Sequence, residues 1–184
     1  ALDAKLGDGD LGLNLVDGLS KVKDTLGSGN LNTEEGVGAF LLGAGELLGE
    51  YAASTFGTLL SQGLIASGKV NVPETAGRVE ETAIRIRALL ERVKKRGKAE
   101  VGDKTMVDAL EPAVLAIEGC ADDENPGEET SVFLNCLESA TEAAQRGALS
   151  TVDLHSAKGR SRWSSNQGHG LMDPGALAVV EFFS

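Results

Sequence analysis

Apolar residues recur with a helical period along most of this chain, and the periodic runs are separated by glycine-bearing polar stretches. Leu11, Leu13, Leu15, Val16, Leu19, Val22 and Leu26 predict a first helix that fades into "GSGNLN". Asn32 and Thr33, followed by Glu34 and Glu35, have the form of a helix start. The Gly- and Ala-rich apolar segment that follows reaches about Ser67, too long for one ordinary helix, and "EYAASTFG" is its expected break. "NVPETAGRVEETAIRIRALLERVKKRG" predicts a helix with Pro73 in its first turn and a basic cluster before Gly97, the end where the helix dipole favours cations. Val79, Ala83, Ile86 and Leu90 mark its apolar face. Further helices are predicted over 105–119, with Pro112 near an end or at a kink, over 129–146, and briefly over 150–158. "ALAVVEFF" has a strand-like composition. Pro174 just before it suits a first helical turn, and no other segment alternates as a partner strand would, so it is expected to be a buried helix. The chain thus reads as all-α, one domain over residues 1–184, with loops of about 5–15 residues.

Composition narrows the class. With 184 residues and 41% hydrophobic content, one domain with a sizeable core is expected and disorder is not. Aromatics make up 4%, so that core must be aliphatic. A net charge of −11 argues against a nucleic-acid-binding surface, which needs clustered Lys and Arg. It leaves room for a phosphorylated ligand held through a divalent cation. No apolar run approaches the roughly 20 residues that span a bilayer, and no signal-peptide pattern opens the chain, so no membrane association is expected. Cys120 and Cys136 are too few and too far apart for a zinc knuckle, and they read as buried thiols in a reducing cytoplasm.

Three glycine-bearing loops carry candidate chemistry. In "LDAKLGDGDLGLNL" the carboxylates Asp3, Asp8 and Asp10 crowd the mouth of the first helix. Hard divalent cations want such oxygen ligands, and Mg²⁺ suits a site that leaves room for water and phosphate oxygens. The alternative is an N-capping cluster in a solvated loop. In "RGKAEVGDKTM" two glycines bracket a turn before a helix N-terminus, which could cradle an anion or be a plain capped turn. In "AKGRSRWSSNQGHGLMDPGA", Arg160 and Arg162 can grip phosphate, and Trp163 can stack on a base or fill core. His169 can act as a base or stand by, and Asp173-Pro174-Gly175 opens a helix. The small residues of "GEYAASTFGT" permit either close helix packing or close approach to a ligand.

Taken in order, "LDAKLGDGDLGLNL", "RGKAEVGDKTMVDAL" and "KGR…W…G…DPGA" resemble the nucleotide-binding L subunit of dihydroxyacetone kinase and the matching domain of the single-chain kinases, over essentially the whole chain. The resemblance implies an up-and-down antiparallel barrel of about eight helices, the first of them absent before Ala1. The nucleotide, ADP or ATP, lies among the loops at one end. It implies two Mg²⁺ ions on Asp3, Asp8 and Asp10, which bridge the nucleotide phosphates. Leu11, Gly12, Leu13, Asn14, Ala52 and Ala53 then fall at the phosphates. Gly97 and Met106 fall at the adenine, Thr105 is a further implied nucleotide-binding residue, Arg160 meets phosphate, and Asp173, Pro174 and Gly175 close the pocket. Asp3, Asp8, Asp10 and Arg160 are the implied catalytic set, with no protein general base, since positioning and charge neutralisation carry phosphoryl transfer.

The implied partners are a K subunit that holds dihydroxyacetone covalently and a phospho-His carrier, the M subunit, that rephosphorylates bound ADP. A homodimer is compatible with the resemblance. The chain departs from the family pattern at Leu11, where His is usual, and at Ala52 and Ala53 in the small phosphate loop. Gln167 replaces a common Arg, and Leu171 a frequent His. Two other roles stay open at this point: the domain of a single-chain ATP-dependent ketose kinase, and a non-catalytic nucleotide-binding regulator.

Overall fold

The computed structural model describes residues 3, 9–27, 36–120, 129–158 and 168–184. Among these, every regular element is helical. The α-helices are α1 (Leu11–Leu26), α2 (Gly36–Tyr51), α3 (Thr55–Lys69), α4 (Arg78–Gly97), α5 (Val107–Cys120), α6 (Glu129–Ser150) and α7 (Pro174–Phe183), with a 3₁₀ turn at Thr151–Asp153. Each helix packs against the next in sequence, and α5 also meets α7. This is the expected all-α, up-and-down helical barrel. Its core is aliphatic as composition required: Leu48, Leu90, Val93, Val107, Val114 and Ile117 are each almost completely buried. No described helix is long and apolar enough to cross a membrane. Cys120 and Cys136 form no disulfide; Cys136 is buried and Cys120 half-buried.

Small residues set the helix spacing. A Cβ on Gly45 of α2 would lie 2.9 Å from the Ser61 carbonyl oxygen of α3, and one on Gly68 of α3 would lie 2.6 Å from that of Gly38. The backbones of α2 and α3 therefore touch, an approach that only residues without a side chain permit. Ser61 Oγ donates to the Gly45 carbonyl at 2.7 Å across the same seam. A comparable contact joins α5 to α6. Pro112 has no N–H to offer the Asp108 carbonyl four residues earlier, and a Cβ on Gly147 would meet that oxygen at 2.0 Å.

Several boundaries move from the sequence expectation. Helix α4 starts at Arg78, not Pro73: the Ala76 N–H donates to the Pro73 carbonyl in a separate turn, and Gly77 is the N-cap. Glu80 and Glu81 then occupy the first turn, and Lys94, Lys95 and Arg96 the last, each matched to the helix dipole. Helix α6 continues to Ser150, and only Thr151–Asp153 of the expected 150–158 helix forms. The expected helix start at Asn32 and the stretch 121–128 before α6 lie outside the described residues.

Because alanine normally favours a helix over glycine, Gly119→Ala in α5, whose Cβ meets nothing within 4 Å, should stabilise the protein by about 0.5–1 kcal/mol. Gly45→Ala should have the opposite sign and destabilise by about 1–3 kcal/mol, because Ile65 and the Ser61 carbonyl cannot both retreat. Urea denaturation of the two variants beside the parent checks the contrast.

Candidate functional site

At one place in the fold the α1 start, the α2–α3 junction, the α4–α5 loop and the α7 start converge on a cleft of about 580 Å³. Asp10 stands at the N-cap of α1, yet its carboxylate makes no capping hydrogen bond. Asp3 does that work from a distance: the Leu11 N–H donates to Asp3 Oδ2 at 2.8 Å. Both carboxylates line the cleft, with Leu11 and Ala53 beside them. The cap-only reading of the acidic cluster therefore fails for Asp10. A carboxylate there gains from the positive helix end without closing the helix. Asp8 lies outside the described residues, and no three described His, Cys, Asp or Glu side chains are grouped as a complete metal site. Two all-oxygen donors on one wall, with open cleft before them, fit Mg²⁺, which keeps several waters and takes few protein ligands.

The α4–α5 loop supplies a second wall. Lys98 ends α4 in the left-handed conformation (φ 50°), and Lys104 repeats it (φ 59°). Thr105 and Asp108 form a capping box: the Thr105 N–H donates to Asp108 Oδ2 at 2.7 Å, and the Val107 N–H to Thr105 Oγ1 at 3.1 Å. Asp108 Oδ1 also accepts from the Gly102 N–H at 2.6 Å, so one buried carboxylate folds the whole turn. The predicted start of α5 at 105 is therefore the cap, and the helix proper begins at Val107.

Facing it is the start of α7. Asp173 is the N-cap, with Oδ2 accepting the Ala176 N–H at 2.8 Å, and Pro174 follows in the first turn as expected. A Cβ on Gly175 would lie 3.5 Å from Met106, so a larger residue there would narrow the cleft between the two walls. Burial pushes the Asp173 carboxyl up to about 6, and Asp108 adds to the rise; the Ala176 N–H and the Lys104 ammonium oppose it.

Of the residues singled out from sequence, Asp3, Asp10, Leu11, Ala53 and Gly97 line this cleft together with Thr105, Met106 and the Asp173–Gly175 turn. Gly12, Leu13 and Asn14 do not line it: Leu13 is 72% exposed, and Asn14 Nδ2 reaches the Ala53 carbonyl only at 3.4 Å. Ala52 is buried under the junction, where a Cβ on Gly18 would be 2.9 Å from its own. Arg160, Arg162, Trp163 and Gln167 lie outside the described residues. His169 is exposed and stacks on His155 with ring centroids 4.8 Å apart, and neither ring lines the cleft.

Sequence reading missed Lys104, which lines the cleft while only 1% exposed, and the hydroxyls of Ser54, Thr55 and Thr58. Ser54 could have been found as an N-cap signal, since its Oγ accepts the Gly57 N–H at 3.0 Å. Lys104 gave no signal, because a lysine in a polar loop is ordinarily solvated.

The profile of the DAK2 domain matches residues 5–184. The chain belongs to the DAK2 domain family. Among similar proteins is the ADP-binding subunit DhaL of the PEP-dependent dihydroxyacetone kinase of Escherichia coli, 31% identical over 97% of this chain and 81% of that protein. A probable dihydroxyacetone kinase of Dictyostelium discoideum is 31% identical over 99% of this chain, which spans only 28% of that protein's length. The crystal structure of the dihydroxyacetone kinase of C. freundii in complex with AMP-PNP and Mg²⁺ resembles this DAK2 domain over 99% of the chain and 28% of its own, with a TM-score of 0.66 and 30% identity.

The Asp173 carboxyl gives this DAK2 domain a pH signature. Unfolded, the group titrates near 3.8; folded, near 6. Between those values the folded chain keeps a proton that the unfolded chain releases, so the contribution of Asp173 is largest below about pH 4 and is lost as pH rises through about 6. Relative to Asp173→Asn, whose amide does not titrate, the parent should lose about 3 kcal/mol across that window. Urea midpoints for both proteins from pH 4 to 8 read this directly.

Proposed function

We propose that this DAK2 domain is the nucleotide-binding phosphotransferase component of a dihydroxyacetone kinase. It binds ADP or ATP with Mg²⁺ and passes a phosphoryl group to dihydroxyacetone, or a closely related ketose, held on a partner K subunit. The observation that carries this reading is one cleft with two Asp carboxylates at a helix mouth and an apolar wall built by Met106, Phe56, Leu59 and Pro174. Carboxylates suit the metal-bridged phosphates, and the apolar wall suits a flat purine base.

Asp3 and Asp10, with Asp8, are assigned to hold Mg²⁺, two ions in all. When bound, the metal neutralises phosphate charge, as phosphoryl transfer requires. The protein's own share is orientation. Asp3 is fixed by the Leu11 N–H, so its second oxygen has a set direction. The hydroxyls of Thr55 and Thr58 and the cations of Arg96 and Lys158 line the cleft and can meet phosphate oxygens, alongside Arg160. No side chain is assigned to move a proton.

In the multi-subunit form, a phospho-His carrier recharges ADP that stays bound. The small share of the Dictyostelium kinase that the chain spans favours a second reading: a domain within a longer ATP-dependent kinase, whose nucleotide exchanges freely.

Calorimetric titration of ADP into metal-stripped protein, with and without Mg²⁺, tests the site. Binding should require Mg²⁺ and weaken at least tenfold in Asp10→Ala, while that variant keeps its helical circular dichroism. Metal-independent binding, or none, removes the kinase assignment and leaves the fold. Supplying an active K subunit with either ATP or the phospho-carrier then separates the two readings by which donor yields dihydroxyacetone phosphate.

A further inference from the structure

A lysine that is 1% exposed must find acceptors inside the protein, and Lys104 finds two on segments far apart in sequence. Its Nζ donates to the Thr151 carbonyl in the 3₁₀ turn and to the Leu171 carbonyl, at 2.5 Å, in the segment before α7. Neither acceptor is a carboxylate, so this is no ordinary ion pair. The ammonium instead ties two stretches of main chain to the α4–α5 loop. The tie continues on the far side. The Asp173 N–H donates to Thr151 Oγ1 at 2.9 Å, and that hydroxyl donates to the Ala148 carbonyl at 2.6 Å. Lys104 is held at its own end by the Asp108 capping box on Gly102 and Thr105. Immediately after Lys104 come Thr105 and Met106; two residues after Leu171 comes the Asp173–Gly175 turn. These are the two facing walls of the cleft.

We propose that Lys104 is a positioning residue for the nucleotide: it clamps the Thr105–Met106 wall to the Asp173–Gly175 wall through the Thr151 and Leu171 carbonyls, and so fixes the slot that takes the base. This rests on the nucleotide reading of the cleft. A tie between backbone segments sets the width of the slot without touching the carboxylate end, so its loss should be felt by the base and not by the phosphates.

The test is the affinity of Lys104→Met, which keeps the apolar stem and removes the ammonium, for three probes: Mg·ADP, adenosine and Mg·pyrophosphate. Titrations are run at a temperature where circular dichroism shows parent and variant fully folded. Mg·ADP and adenosine should weaken by the same factor, at least tenfold, and Mg·pyrophosphate should be unchanged. Affinity unchanged from the parent for all three probes would mean the clamp serves stability alone and would overturn the proposal. Loss of Mg·ADP and Mg·pyrophosphate with adenosine unchanged would overturn it in favour of direct phosphate contact.

If Lys104→Met does not fold, Thr151→Val carries the same test from the other side of the tie, with Thr151→Ser expected to restore affinity for the base. If the parent binds no nucleotide, the function fails on its own, and amide exchange still tests the clamp. Exchange at Leu171, Asp173 and Ala176 should quicken at least tenfold in the ligand-free variant, and unchanged protection there would refute it.

Discussion

A carboxylate and an ammonium, both almost fully buried and four residues apart, hold the end of the barrel that carries the cleft. Asp108 accepts two backbone N–H groups of its own loop, and Lys104 donates to two backbone carbonyls of other segments. Each satisfies main-chain groups that a short turn would otherwise leave unpaired, which is why both charges are tolerated in the interior. Everything that faces the cleft from the α4–α5 loop and from the α7 start is placed by this arrangement. The barrel below supplies rigidity, and the buried polar network supplies alignment.

The division of labour follows from where glycine and proline fall. In the barrel, glycines let α2 and α3 approach until backbone meets backbone, and Pro112 leaves a carbonyl against Gly147. At the cleft, Pro174 and Gly175 start α7 with no bulky side chain between its first turn and Met106. The same two residue types thus serve packing in one half and an opening in the other. The stretch "GEYAASTFGT", for which helix packing and ligand approach both stood open, divides between them: Gly49 and Gly57 sit in close packing contacts, while Ala53, Thr55 and Thr58 line the cleft.

Much of the fold was legible because a helical period marks α1 and α5 and Pro174 marks the start of α7, and all three fall within two residues of their expected limits. Errors came where capping outranked period. The Pro73 turn stands apart from α4, closed by the Ala76 N–H on the Pro73 carbonyl before the extended Gly77 cap, and the 150–158 helix stops after one 3₁₀ turn, where the Thr151 carbonyl is shared between the Leu154 N–H and Lys104. Candidate site residues were legible where loops carry carboxylates, Pro and Gly in fixed order. Lys104 was not, because its partners are main-chain carbonyls 47 and 67 residues away, and no side-chain pattern encodes those.

The departures from the family pattern differ in weight once their surroundings are known. Ala52 is 1% exposed and wedged among Gly18, Gly57 and the end of α2, so its methyl belongs to the helix junction. Small size is what that place demands, and a hydroxyl there would face packing before it faced a ligand. Leu11 is different: it lines the cleft directly beside Asp3 and Asp10 while packing its other side on the core. An apolar side chain next to two carboxylates lowers the local dielectric and strengthens their pull on a cation, while offering no hydrogen bond to phosphate. Under the proposed nucleotide reading, the phosphate end of this cleft would depend on metal more heavily than a site with His at that position, with Thr55, Thr58, Arg96 and Lys158 left to supply direct contacts.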